Sequence, residues 1–404
     1  MNLADFFNSD NVELPRGGYD PSREAFPEFL SGVFRRYNAD VKMLDDPDFP
    51  DVCNNIRASI RELTDLSESI QAAIRVYLNG RPHPAYETFA SMLDTLDLSP
   101  FFSELTQGSS PVNLHDPFSP YLNAVLHPPM YRIRCDRNEF NIPNRGDIFH
   151  VPFEKRHLVG NQRYSIAGLP CLYLGSSVWI CWEELGRPAF DIVWVSRFRL
   201  ALPVTVLDLQ FPPHHVWRFF KSLQDGAPLA TLRDAEIKLK SRFSPSFLEA
   251  YILRWPLIAA CSITSESRAG SFFPEYILPQ MLLQWVMNIG MVDGIRYFSA
   301  RMPSKGLHVI AHSNCVFPAL LSAKKGHCDQ LRQKFTLTEP ISWELLNAMN
   351  LGEVLHADQS PNEFAFIQMN KDLLLGYSQT HFSSVESKLA EIEIRPGCSR
   401  SLEP

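Results

Sequence analysis

Between residues 51 and 79, apolar side chains recur at spacings of three or four: Val52, Ile56, Ile60, Leu63, Leu66, Ile70, Ile74 and Tyr77. That period puts them on one helical face, and Gly80 and Pro82 follow as stop signals. Shorter helical patterns run over 23–37 and 85–96. Residues 1–115 are therefore expected to form a helical N-terminal domain without chemistry of its own. The Ser-, Pro- and Asn-rich stretch 107–120 (QGSSPVNLHDPFSP) reads as a linker. Beyond it the pattern changes to short runs of aromatic and β-branched residues separated by turn residues. Strands are expected at 130–135, 148–153, 171–174, 192–197 and 204–207. A helix at 278–290 and strands at 294–299 and 307–312 complete an α+β core over 125–320. Residues 321–404 are expected to be an extension packed on that core. It has candidate strands at 352–355 and 364–369 and a helix over 383–393, on which Phe382, Val385, Leu389 and Ile392 share a face.

Two apolar stretches test for membrane insertion. Arg254 and Pro256 interrupt residues 250–263, and Gln280, Gln284, Asn288 and Asp293 interrupt 278–295. Neither offers 18 clean apolar positions, so both read as buried core and no membrane partner is expected. Composition adds little to the fold but narrows the function. A hydrophobic fraction of 45% and a charged fraction of 21% describe an ordinary globular protein. A net charge of −7 argues against a dedicated nucleic-acid binder. The 8 cysteines are scattered with no CxxC pair, so zinc-finger and thioredoxin readings lose their support. The opening MNLADFFNSDNVELPRGG lacks a basic region followed by an apolar run, so a cytoplasmic location with free thiols is expected.

Candidate chemistry lies in two pieces. The first begins MYRIR at Met130, passes FHVPFEKR, and reads NQRYSIAGLPCLYLGSSVWICWEE up to Glu184. The second is VDGIRYFSARMPSKGLHVIAH, from Val292 to His312. Together they resemble the RES domain family, named for its arginine, glutamate and serine. Its pattern is a Tyr-Arg opening, a GR-aromatic-Asn block, a G-P-LYLA-S segment, a glutamate closing the next helix and a later DGI-Y-S strand. On these motifs Arg132 matches the opening arginine and Arg163 the arginine of the second block. Tyr173 matches the tyrosine of LYL, and Ser299 the serine after DGI-Y. Glu184 stands eleven residues after Tyr173, the family spacing, and is preferred to Glu183. The chain departs from the pattern at Asn161-Gln162 and Tyr164-Ser165, and the interval between Glu184 and Ser299 is long, with 203–270 looking like an insertion.

The resemblance implies a fold like that of ADP-ribosyltransferases and an enzyme that consumes NAD, as members of many bacterial toxin–antitoxin pairs do. It implies cleavage of the nicotinamide–ribose bond, by hydrolysis or by transfer to inorganic phosphate. The alternatives are transfer to a protein, or an inactive NAD-binding module. The residue types suit this chemistry. Arg132 and Arg163 are planar, permanently charged anchors for a pyrophosphate. Breaking the C–N bond builds positive charge on the ribose, which a carboxylate such as Glu184 stabilises. Tyr173 offers a ring face and a hydroxyl, and Ser299 would orient the ribose or carboxamide. The expected catalytic set is Glu184, Ser299 and Tyr173; the NAD-binding set is Arg132, Arg163 and Tyr173. No metal is expected, since the nicotinamide of NAD is already a good, cationic leaving group. An antitoxin or other regulatory protein is the expected partner.

Other patterns are weaker. Arg145 and His150 have the Arg-x4-His spacing of HEPN ribonucleases, which requires both on one helix, whereas the following FHVPF looks like a strand. The N-terminal bundle resembles HEPN-type bundles but carries no such motif. His214-His215 lacks further ligands at metal spacing, and GxGxxG, GxxxxGK[ST] and GxSxG are all absent.

Overall fold

The structure, a computed structural model, describes residues 1–107, 127–135, 144–225, 242–266, 270–300, 313–320, 324–350, 366–370, 373–377 and 380–394. Its N-terminal part holds helices α1 (Leu3–Phe7), α2 (Phe26–Lys42), α3 (Pro50–Ala58), α4 (Ile60–Leu78) and α5 (Pro82–Leu93). The single helix expected over 51–79 is thus two. Ser59 leaves helical geometry (φ −99°, ψ 12°), and its amide is shared between the carbonyls of Asn55 and Ile56, both at 3.1 Å. The apolar spacing continues across the break, so periodicity alone does not register it. Gly80, at φ 77°, ends α4 as expected. Pro82 is the first residue of α5 instead of a stop, the place where a missing N–H costs nothing.

After β1 (Phe102–Leu105), the linker expected at 107–120 lies outside the described residues except for Gln107. Then come β2 (Met130–Cys135), the single turn α6 (Arg145–Ile148), β3 (Cys171–Gly175), α7 (Val178–Glu184), β4 (Val193–Leu200) and β5 (Val204–Leu209). The strand expected at 148–153 does not form. Asn144 and Asp147 close a reciprocal capping box that commits the chain to a helical turn. A 3-10 segment, Phe153–Leu158, follows Pro152. Helices α8 (Pro213–Gln224), α9 (Pro245–Ser262) and α10 (Ile277–Ile289) lead to β6 (Gly294–Phe298) and β7 (Ser313–Pro318). The strand expected at 307–312 lies outside the described residues, as does that at 352–355. The C-terminal part supplies α11 (Asp329–Lys334), β8 (Phe335–Leu337), β9 (Ile341–Ser342), α12 (Trp343–Asn350), β10 (Phe366–Asn370), β11 (Leu373–Gly376) and α13 (His381–Ile394).

The fold is α+β. One sheet runs β1-β5-β6-β7-β3-β2-β4-β8, with β9 also on β4, and β10 pairs with β11 separately. Every pair is antiparallel except β5–β6. A parallel pair needs a long crossover, and the stretch read as an insertion at 203–270 supplies part of it: α8, α9 and α10 connect β5 to β6. Gly294, of the DGI motif, is required for the register, since a Cβ there would lie 2.3 Å from the Val316 carbonyl oxygen.

The sheet takes strands from all three expected segments. The N-terminal helices also share their core with the crossover. α9 is buried almost all round, as an apolar helix without a polar face must be. Tyr37 of α2 stacks on Trp255 at 3.8 Å between ring centres, and Trp255 Nε1 donates to the Val12 carbonyl (2.9 Å). Trp285 Nε1 of α10 donates to Asp94 (2.8 Å). Pro256 inside α9 has no N–H for the carbonyl of Ile252 four residues earlier. The Tyr37 hydroxyl donates to that carbonyl instead, at 2.7 Å. Helices α1–α5 and the crossover helices therefore share one hydrophobic core, which Leu207, Leu209 and Ile295 of the sheet also enter. The C-terminal helices seal a different patch: Trp343, Phe382, Val385 and Leu389 pack with Trp179 and Trp182 of α7. Among the described residues, no helix is long and apolar enough to cross a membrane.

Candidate active site

The segment that presents Glu184 is short and heavily pinned. β3 ends at Gly175, where a Cβ would meet Cys181 Sγ at 2.7 Å and Ile180 Cγ2 at 2.9 Å, so only glycine lets α7 fold back this closely. Ser176 exchanges backbone and side-chain hydrogen bonds with Ser313 (2.8 and 3.0 Å), joining this turn to β7. Ser177 caps α7 by accepting from the Ile180 amide at 3.1 Å. The Val178 amide donates to Glu386 of α13 at 2.6 Å, and the Tyr377 hydroxyl donates to the same oxygen. Burial pushes the Glu386 carboxyl up to about 7.

The helix ends at Glu184, whose Oε1 accepts from Ser299 Oγ (2.6 Å) and Asn314 Nδ2 (2.9 Å). Glu183 points elsewhere and pairs with Arg187 at 2.9 Å. Beside Glu184 opens a cavity of about 410 Å³, within the range of small-molecule sites, roughly 300–1,000 Å³. Its walls include Arg132, Arg163, Tyr173, Glu184, Tyr297 and Asn314. Ser299 is not a wall residue; it reaches the site through its hydrogen bond to Glu184.

Arg132, from β2, donates to the Tyr173 carbonyl at 3.4 Å. Burial pushes its guanidinium down to about 10, which still leaves it charged at neutral pH. The Tyr173 hydroxyl meets Ser165 Oγ at 3.0 Å, and burial raises its pKa. Arg163 does more than face the cavity. It donates to the carbonyls of Cys261 (3.2 Å) and Ile263 (3.0 Å) and lies over the Tyr276 ring at 5.2 Å. It thereby braces the 161–167 loop against the end of α9. Tyr164, in the altered motif block, is buried against Tyr297 at 4.5 Å.

Sequence reasoning missed Asn314 and Tyr297, as well as the wall made of Phe273, Glu275 and Tyr276. A signal existed for two of them. Asn314 is a poor strand former in the middle of β7, and Glu275 is a lone acid in an apolar FFPEYIL run. The Arg145–His150 pair is not a helical constellation. His150 is fully buried outside α6, its Nε2 accepting from the Cys328 amide (2.8 Å) and its Nδ1 facing the Val151 carbonyl (2.8 Å). Burial holds its imidazole at about 4, hence neutral. Arg145 pairs with Glu339 at 2.8 Å. Among the described residues no three His, Cys, Asp or Glu side chains gather to hold a metal ion.

Comparison with known proteins adds one relative. The chain is 30% identical over 347 residues to "Putative toxin YopC" of Bacillus subtilis (strain 168), which spans 85% of this chain and 70% of that protein. The chain belongs to the YopC family. No family model matches it. No solved structure matches it either. The matched length is far greater than the stretch between Arg132 and Asn314, so the relationship to YopC is not confined to the cavity-forming segments.

Proposed function

We propose that the cavity binds NAD and breaks its nicotinamide–ribose bond, and that the chain is a toxin acting by consuming NAD. One observation carries this reading. Arg132, Arg163, Tyr173 and Glu184, chosen from the RES-like motifs, converge on one cavity with Ser299 hydrogen-bonded to Glu184. The name of the relative from Bacillus subtilis is in keeping with a toxin.

In this reading the cationic Arg132 and Arg163 hold the pyrophosphate. Tyr173 and Tyr297 give the nicotinamide ring flat surfaces to lie against. Glu184 is held as an acceptor by two donors, so it need not reorganise as the ribose gains positive charge. A preoriented carboxylate stabilises the transition state more than the ground state. Ser299 and Asn314 are positioning residues for it.

The test is incubation of purified protein with NAD, with and without inorganic phosphate, resolving the products by chromatography. Nicotinamide with ADP-ribose means hydrolysis. A phosphorylated ADP-ribose formed only with phosphate means phosphorolysis. Nicotinamide released only when a target protein is supplied, together with labelling of that protein, means protein ADP-ribosylation. Absence of nicotinamide under all three conditions would remove the enzyme reading and leave an NAD-binding module.

A further inference from the structure

The wall opposite the family-like motifs comes from the crossover connection: Thr264, Ser265, Phe273, Glu275 and Tyr276. Glu275 is only 4% exposed. Its Oε2 is sealed from solvent and has no hydrogen-bond partner among the described residues. Desolvation raises the pKa of this carboxyl, opposed by a hydrogen bond from its own backbone N–H and then by the charge of Arg163. A buried acceptor without a donor is costly and uncommon. Next to it, the rings of Phe273 and Tyr276 lie 5.1 Å apart at 37°. Arg163 stands between the two walls: its guanidinium covers Tyr276, and its charge acts both on Glu275 and on Tyr297, which also feels Glu184.

We propose that this wall is the adenine subsite of the dinucleotide, with the Glu275 side chain turning toward the cavity so that its unpaired oxygen accepts a hydrogen bond from the exocyclic amine of the base, and the Phe273–Tyr276 pair forming one side of the pocket around the ring. The inference rests on the NAD reading. With the nicotinamide ribose at Glu184 and the pyrophosphate at Arg163, the second base falls beyond Arg163, where a flat aromatic surface and an unsatisfied acceptor lie together. Adenine supplies what the wall lacks: a π-face and an N–H donor.

The experiment compares NAD with 1,N6-etheno-NAD, whose bridged base has no amine to donate, using nicotinamide release by the full chain. Wild type should favour NAD by about tenfold or more in kcat/KM, because a site built around a hydrogen bond rejects an analogue lacking it. Glu275→Leu should raise KM for NAD and leave that for etheno-NAD unchanged, collapsing the preference. Glu275→Gln, which keeps a carbonyl acceptor, should retain most of it. Equal efficiency of wild type on both dinucleotides, or an equal fall on both in Glu275→Leu, overturns the assignment while NAD cleavage stands. No nicotinamide from either substrate with wild type, with phosphate and a target protein also supplied, removes the enzyme reading; the subsite is then judged by binding, and equal affinity of wild type for NAD and etheno-NAD overturns it.

Discussion

The two walls of the cavity are supported in opposite ways. The sheet-side wall is fixed by polar pins: Ser177 on the start of α7, Glu386 on the Val178 amide, the Ser176–Ser313 pair, and Ser299 with Asn314 on Glu184. The crossover wall hangs from α9 and α10, which are held chiefly by aromatic and aliphatic packing against the N-terminal helices. Hydrogen bonds are directional and each is worth little net, so the first arrangement sets where one carboxylate points. Apolar burial is non-directional and large, so the second supplies stability and shape. Catalytic geometry and fold stability should therefore separate under mutation.

The largest expected effect is on the packed side. Trp255→Ala removes a fully buried ring, its stack on Tyr37 and its bond to Val12. A loss of about 3–5 kcal/mol is expected in denaturant titration. Because the core is shared, α1–α5 and the sheet should unfold in one transition. A separate, unperturbed transition for the N-terminal helices would show that they form an independent domain. On the pinned side, Glu184→Gln keeps shape and hydrogen-bonding reach but removes the charge. Nicotinamide release should fall by about 10²–10³-fold with an unchanged thermal midpoint. Unaltered turnover would refute the role given to Glu184.

A smaller change probes the packed side at one atom. Tyr37→Phe keeps the ring stack and deletes the donor to the carbonyl that Pro256 leaves open. The cost should be about 1–3 kcal/mol for a buried acceptor without a partner, with KM for NAD unmoved. A neutral result would mean that water or backbone adjustment satisfies the Ile252 carbonyl.

The same contrast explains what could be read in the chain and what could not. The face Val52–Ile56–Leu63–Leu66–Ile70–Ile74 is visible as a period because burial imposes one, but the break at Ser59 keeps the period and is invisible to it. The stretch 148–153 looks like a strand by composition, but its two ends fall in the capped helical turn Arg145–Ile148 and the 3-10 segment Phe153–Leu158, and Pro152 between them has no N–H for a strand partner. The α+β class was legible from the change in pattern after residue 120. The parallel β5–β6 pair was not, and with it the role of α8, α9 and α10 as the crossover went unseen. Arg132, Tyr173 and Glu184 could be chosen because they sit in ordered motifs. Asn314 and Glu275 acquire their places only when distant strands and the crossover close around the cavity, which no local spacing records.

The last test concerns a pin that titrates, and its effect is absent at low pH and appears only as pH rises. Glu386 accepts from the Val178 amide and the Tyr377 hydroxyl, yet its surroundings push its carboxyl from the usual 4.5 up to about 7. The folded chain thus binds this proton more tightly than the unfolded chain does. The stabilisation from that proton is full below about 4.5 and is lost as pH rises through about 7. Glu386→Gln, which cannot ionise, should match wild type in thermal midpoint near pH 5 and become the more stable of the two by pH 8. If wild type instead gains on the variant as pH rises, the ionised carboxylate is a net clamp on α7 and the direction of the shift is wrong. Since α7 carries Glu184 at its far end, the same pair of proteins gives a second reading. A pin that only holds the helix in place should leave KM for NAD alike in both at pH 5, whereas a KM difference already present there would make Glu386 part of the substrate site.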